Sequence, residues 1–358
     1  MNPNQKSAQP AKKPFAFPMS MSLARKAEKG GPVELPPVTA PSLEGLSVTV
    51  PAPEPISAQQ IQARFQELAR AYATERMRSR TEPIAWGDEV LVNIAGYSNG
   101  RLIPFSVRAD AWITLAPAPL LPGLYEELVG HMPGENVLVN ITLGEDYPIE
   151  ALRGQLARFA VQLQAAREVT YPDPSSPEFL KAFGRGNTVE AATRAVLKEL
   201  EEMTVRLLQL RAQEMVLDEV AARTQVDIPE ALVDEEVRRR WGSSEGRAVT
   251  DLKFTVKQQE ESLQTWLSDE PTRDAVRQRL RIALALGAIC TRDGVTLTPA
   301  KVQEVIQAEA TSLGVPLAQA SAALREDPQQ YARIEQVAWH LMAVSYVMSK
   351  AQVHFAGA

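Results

Sequence analysis

Proton transfer, nucleophilic attack and metal ligation draw on His, Cys and close carboxylates, and the first two are scarce here. The 358 residues include one cysteine, Cys290, and three histidines, His131, His340 and His354. A lone thiol excludes a disulfide framework and a zinc site built on cysteines. Cys290 lies in an apolar helical stretch, where an inert buried thiol is expected. His131 falls in the turn Gly130-His131-Met132-Pro133-Gly134-Glu135, and His340 follows Trp339 in a helical stretch as a packing residue. Asp88, Glu126, Glu135 and Glu145 invite general acid–base chemistry. They sit at turns and strand starts, however, so solvated acids are the expectation. Neither a metal nor a cofactor is expected.

The composition, 45% hydrophobic and 23% charged, suits a protein with real cores. Mean hydropathy is -0.18, and no run of ~18 apolar residues could span a membrane. The net charge of -6 is uneven: residues 1–30 hold six Lys/Arg against Glu28, so they carry +5 and the rest carries -11. An acidic body argues against a specific nucleic-acid partner. The stretch Phe15 to Leu23 is broken by Pro18, Ser20 and Ser22 and does not read as a secretory signal, which makes the cytoplasm the default location.

Eleven of the 26 prolines fall in the first 60 residues, so 1–36 reads as a disordered basic tail. Leu46, Val48 and Val50 alternate as a short strand. Ser57 then caps a helix expected over 58–80, with Ile61, Phe65, Leu68 and Tyr72 on one face. From Gly87 the period becomes two: Val90, Val92, Ile94; Trp112 to Leu115; Val137, Val139, Ile141, Leu143; Ala157, Phe159, Val161, Leu163. With a short helix near Tyr125 to Val129, residues 87–168 read as a small antiparallel α+β domain. Beyond Pro177 the pattern is helical. Asn187 and Glu190 suggest a capping box, and Val196, Leu200, Met203, Leu207 and Leu210 form a narrow seam on one helix over 188–223 that is expected to pack on other helices. Pro229, Pro271, Pro299 and Pro328 sit where later helices begin. Leu280 to Ile289 is the most apolar of these segments.

The order of strings in the sheet block carries a resemblance. Gly87-Asp88-Glu89-Val90, Asn99-Gly100, Leu121-Pro122-Gly123-Leu124-Tyr125-Glu126, Gly130-His131-Met132-Pro133-Gly134-Glu135, Glu145-Asp146-Tyr147 and Leu152-Arg153-Gly154 together resemble FKBP-type prolyl isomerases. Pro177-Glu178-Phe179-Leu180-Lys181-Ala182-Phe183-Gly184 and Val226-Asp227-Ile228-Pro229-Glu230-Ala231-Leu232-Val233 resemble the helical region of bacterial trigger factor, as Leu43 to Val48 resembles its first domain's exit strand. The resemblance implies an FKBP-like domain over 87–168, a helical chaperone-like domain over 169–358 and a linker strand and helix over 37–86 that packs with the helical part. The family's ribosome-docking loop has no counterpart in residues 1–36, so strong ribosome docking is not expected.

Carried over residue by residue, the family's prolyl pocket falls on Ile94, Ile103, Leu121, Leu124, Tyr147 and Phe159. Isomerisation needs no nucleophile. It needs an apolar, water-poor pocket that favours the twisted amide over the planar one, against a barrier of ~18–20 kcal/mol. Ile94, Ile103 and Leu124 stand where the family has aromatic rings, so a degenerate pocket of weak or absent activity is implied. From periodicity alone Ile94, Leu121 and Phe159 read equally as core, and Tyr147 as pocket or packing. The implied fold is α+β, a small antiparallel sheet domain joined to an elongated all-α domain. The implied function is a chaperone of unfolded or nascent polypeptide, with an active prolyl isomerase or an adaptor for one partner as alternatives.

Overall fold

A computed structural model describes residues 35–117 and 121–356. The basic tail expected over 1–36 therefore lies outside the described residues except for Leu35 and Pro36. Strand β1 (Ser47–Val50) is followed by helix α1 (Ala58–Ala69) and strands β2 (Thr74–Met77), β3 (Glu89–Ser98), β4 (Arg101–Leu102), β5 (Arg108–Thr114), β6 (Asn136–Thr142) and β7 (Leu156–Thr170). Helices α2 (Pro177–Phe183), α3 (Val189–Ala222), α4 (Glu230–Ser243), α5 (Glu245–Asp251), α6 (Val256–Ser268), α7 (Glu270–Asp293), α8 (Pro299–Leu313), α9 (Leu317–Glu326) and α10 (Pro328–Lys350) follow, then β8 (Gln352–Phe355), which pairs with β1. The architecture is α+β, an antiparallel sheet with a helical remainder. Among the described residues no helix is long and apolar enough to cross a membrane.

The chain forms two compact units. One comprises, among the described residues, 49–117, 121–214, 228–280 and 354–356 and holds the main sheet. Strand β7 is central: β3, β2 and β6 all pair with it antiparallel, and β3 in turn pairs with β4 and β5. Burial along β7 alternates strictly from Leu156 to Leu163, because successive side chains of a strand leave opposite faces. Ala157, Phe159, Val161 and Leu163 meet Val137, Val139 and Ile141 of β6 and Val90 and Val92 of β3 in one core. The period-two pattern of the sequence thus resolves into a single buried face.

The helix expected over 58–80 ends at Ala69. Ser57 forms the capping box with Gln60 that its start requires. Past Ala69, however, Thr74 to Met77 pair with Thr170 to Arg167 of β7. Arg70 turns to Glu75 and Glu89, and Arg167 bonds the same two carboxylates. The Arg70 guanidinium, the largest influence, holds the Glu89 carboxyl below its ordinary range. Sheet pairing and this four-residue cluster outweigh helix propensity, which is worth only tenths of a kcal/mol per residue, up to ~0.7.

Helix α3 agrees closely with its expected range, although Thr188 rather than Asn187 caps it, its hydroxyl accepting the Ala191 N–H at 3.2 Å. The seam is not buried along its length. Val196 is fully buried and packs with Ala192, Phe179 and Phe183. Leu200 and Met203 are half-buried, and Leu207 and Leu210 are exposed. Burial returns only from Ala212 onward.

The second unit comprises, among the described residues, 35–48, 215–227 and 281–353. Its largest cluster packs Val216 and Val220 of α3 with Leu286 and Ile289 of α7, Val344 and Val347 of α10, and Leu46 and Val48. Cys290 lies in this cluster, 4% exposed, and burial pushes its thiol up, as suits an inert side chain.

Near the end of α7, Asp293 accepts two bonds from Arg292 and one from the Tyr346 hydroxyl at 2.9 Å. The Arg292 guanidinium chiefly holds the Asp293 carboxyl down at about 2. An unfolded aspartate titrates near ~3.9, so the folded state binds fewer protons between the two values and loses stability as pH falls through them. The stability difference between the native chain and Asp293→Asn is therefore expected to hold steady from ~pH 7 to ~pH 5 and to disappear between ~pH 4 and ~pH 2. Melting temperatures across that range test it, and a difference independent of pH would refute it.

Candidate functional site

A cleft of about 1180 Å³ opens beside the inner face of the sheet. Ile94, Leu121, Leu124, Tyr147 and Phe159 all line it, so five of the six residues implied by the sequence resemblance share one wall system. Ile103 is 1% exposed and packs in the core, while its neighbours Pro104, Phe105 and Ser106 reach the cleft.

Each lining residue has a local reason for its position. Phe159 on β7 lies opposite Gly96 of β3 and Val139 of β6. A Cβ on Gly96 would stand 2.6 Å from the Phe159 ring, so only glycine lets the ring lie across β3. Leu124 follows a turn in which Gly123, at φ +93°, donates its N–H to the Glu126 carboxylate at 2.9 Å. Tyr147 is placed by a turn from Gly144, and its carbonyl accepts a bond from Arg153 Nε at 2.8 Å. Burial pushes the Tyr147 hydroxyl up and keeps it neutral.

The acids expected to be solvated divide. Glu145 is exposed, and Glu135 bonds His131 at 2.7 Å on the surface. Asp88 is 2% exposed, a correction to the sequence expectation. It accepts both Arg78 Nε–H and Nη2–H and the Ala85 N–H at 2.8 Å. The Asp88–Arg78 pair closes the loop before β3 and is structural.

Several aromatic residues of the cleft escape sequence reasoning. Trp112 of β5 lies under the Arg167 guanidinium, 4.3 Å from its ring centroid. Phe105 and Trp266 also line the cleft, with ring centroids 4.5 Å apart. Phe105 adopts φ +63°, a left-handed conformation that costs a non-glycine residue about 1–3 kcal/mol. The buried Glu245 side chain accepts the Phe105 N–H at 3.2 Å and also the Trp266 indole N–H. Its other carboxylate oxygen has no hydrogen-bond partner. Glu245 is held there because Gly246 lets α5 sit against Trp241: a Cβ on that glycine would stand 2.8 Å from the indole. In the sequence, Trp266 and Glu245 show only as a tryptophan and an acid in segments with no visible link to the sheet.

This arrangement supplies apolar walls and flat rings. It can hold an apolar side chain or a proline ring out of water.

Residues 188–348 match the family described as bacterial trigger factor protein C-terminus. Trigger factor of Sphingopyxis alaskensis is 26% identical over 279 residues, covering 76% of this chain and 49% of that protein. Trigger factor of Pseudoalteromonas atlantica is 25% identical over 337 residues, covering 89% and 71%, and that of Gluconacetobacter diazotrophicus is 25% identical over 343 residues, covering 93% and 76%. A solved trigger factor chaperone chain aligns over 88% of this chain and 73% of its own at 14% identity, with a TM-score of 0.34. The chain spans about half the length of the Sphingopyxis protein. Residues 188–348 thus match the bacterial trigger factor C-terminal family, and the chain is similar to curated trigger factors over most of its length.

Proposed function

We propose that this protein is a cytoplasmic chaperone that binds unfolded or nascent polypeptide, with a prolyl-isomerase-like cleft of weak or absent turnover. The observation that carries this reading is the middle of α3. Between Glu201 and Arg211 no residue is buried, yet Val205, Leu207 and Leu210 are 54%, 61% and 59% exposed. Helix α3 has 34 residues, about 51 Å at 1.5 Å per residue. Its ends pack while its centre presents apolar side chains to water, and such a surface binds many sequences through non-directional burial. The aliphatic residues at Ile94, Ile103 and Leu124 support weak turnover in the cleft.

A second reading, an active prolyl isomerase, is favoured by the rings that Phe105, Trp112, Tyr125 and Trp266 bring to the cleft. A protease-coupled assay on a short X-Pro peptide separates the two. Turnover well above background would establish the enzyme.

The chaperone reading is tested by suppression of aggregation of an unfolded model protein. Tyr147→Ala is expected to leave suppression within about twofold, equivalent to ~0.4 kcal/mol of binding. Loss of suppression in that variant would move the working site from α3 to the cleft.

A further inference from the structure

Phe105 lines the cleft. It sits at the tip of the loop between β4 and β5, in a backbone conformation that phenylalanine rarely adopts, with its ring against Trp266 of α6. Part of what holds it is local: Pro104 and Phe105 are the central residues of a turn in which Ser106 donates its N–H to the Ile103 carbonyl at 3.3 Å, and Arg108 Nη1 donates to the Phe105 carbonyl at 2.9 Å. The other part is long-range: Glu245, 3% exposed, accepts the Phe105 N–H and the Trp266 indole N–H on the same oxygen. Strain at an apolar residue, kept in place by a buried carboxylate from a distant helix, marks a position over-determined by its surroundings. Asp269, just before α7, and Pro271 and Thr272 in its first turn line the same cleft. The helical part therefore supplies one wall and the sheet the other.

We propose that Phe105 and Trp266, tied by Glu245, form a closed gate across this cleft, and that the ligand which opens it is an extended peptide bearing proline or another apolar residue. This rests on the reading that the cleft admits client polypeptide. The entering side chain replaces Phe105 against Trp266. The ring pair parts, the strained loop relaxes, and the bonds at Glu245 are released. Peptide binding in the cleft is thus coupled to the position of α5 and α6, because one carboxylate serves both sides. Binding to the closed form is weakened by the fraction of molecules that are open.

The test uses the full chain and the peptide acetyl-Ala-Leu-Pro-Phe-amide, with affinity read by calorimetry and backbone exposure by hydrogen exchange. Phe105→Gly removes the ring and suits φ +63°, so it is not expected to harm folding. It is expected to tighten peptide binding about fivefold, as for a native gate open about a fifth of the time. Glu245→Leu, which removes both bonds, is expected to act in the same direction and to speed exchange in 101–108 without ligand. Glu245→Gln keeps an acceptor oxygen and is expected to stay within twofold of the native chain. Saturating peptide is expected to speed exchange in 101–108 and 245–252 of the native protein. Equal affinity in Phe105→Gly and the native chain, or no exchange response to bound peptide, overturns the gate alone. No peptide binding to any of the four proteins overturns the cleft as a client site together with the gate, while suppression of aggregation through α3 is measured separately.

Discussion

Asp88→Ala is expected to destabilise the sheet-bearing unit by about 3–5 kcal/mol, the usual cost of removing one partner from a buried ion pair. Arg78 is 13% exposed at its side chain and Asp88 3%. The aspartate receives two N–H groups from one guanidinium and one from the backbone of Ala85. Its own carbonyl accepts the Leu115 N–H at 2.8 Å, and the Arg78 N–H bonds Ala166 of β7 at 2.9 Å. Truncation leaves a guanidinium enclosed without its counter-charge and frees a backbone donor. A guanidinium keeps its proton at neutral pH whatever its partner, so the arginine cannot escape the penalty by losing its charge. Chemical denaturation of Asp88→Ala, Arg78→Ala and the double variant measures this. The double variant is expected to lose less than the sum of the singles, since it leaves no orphaned charge. A cost below ~1 kcal/mol for Asp88→Ala would mean that the pair is screened like a surface bridge.

Leu207→Glu combined with Leu210→Glu is expected to weaken client binding about tenfold, or ~1.4 kcal/mol. Each leucine contributes apolar area only when a client covers it, and each glutamate adds a charge that the client must desolvate. Folding is not expected to suffer. Both leucines are mostly exposed. Glutamate is as good a helix former as leucine, and at 207 it faces Arg211 four residues on, a favourable i,i+4 pairing. Aggregation suppression on a client of near-neutral net charge, with helix content checked by circular dichroism, gives the comparison. Unchanged suppression in the folded double variant would remove α3 as the client surface.

The local features of this protein were legible without coordinates. Alternation at 90–94, 137–143 and 157–163 placed β3, β6 and β7, because a strand with one buried face must repeat every two residues. Ser57 as a cap, Pro299 and Pro328 as first helical residues, and the extent of α3 likewise follow from groups within four residues of each other. The resemblance gathered five cleft residues that periodicity alone left as core or pocket.

The tertiary structure decided the rest. Residues 74–77 fall within the range expected as helix yet form β2, because β7 offers a pairing edge and Arg167 and Glu89 complete an ion cluster that no local string encodes. Asp88 looks like a turn acid and is buried, since Arg78 is brought to it by pairing with β7. The α3 seam is uniform in sequence, but only its ends meet packing partners. Glu245 lies 140 residues from Phe105, and no helical or strand period links them. Caps and alternation reflect forces acting within one or two turns of chain, whereas burial of a charge, the end of a helix against a sheet edge and the company of a tryptophan depend on which distant segments arrive.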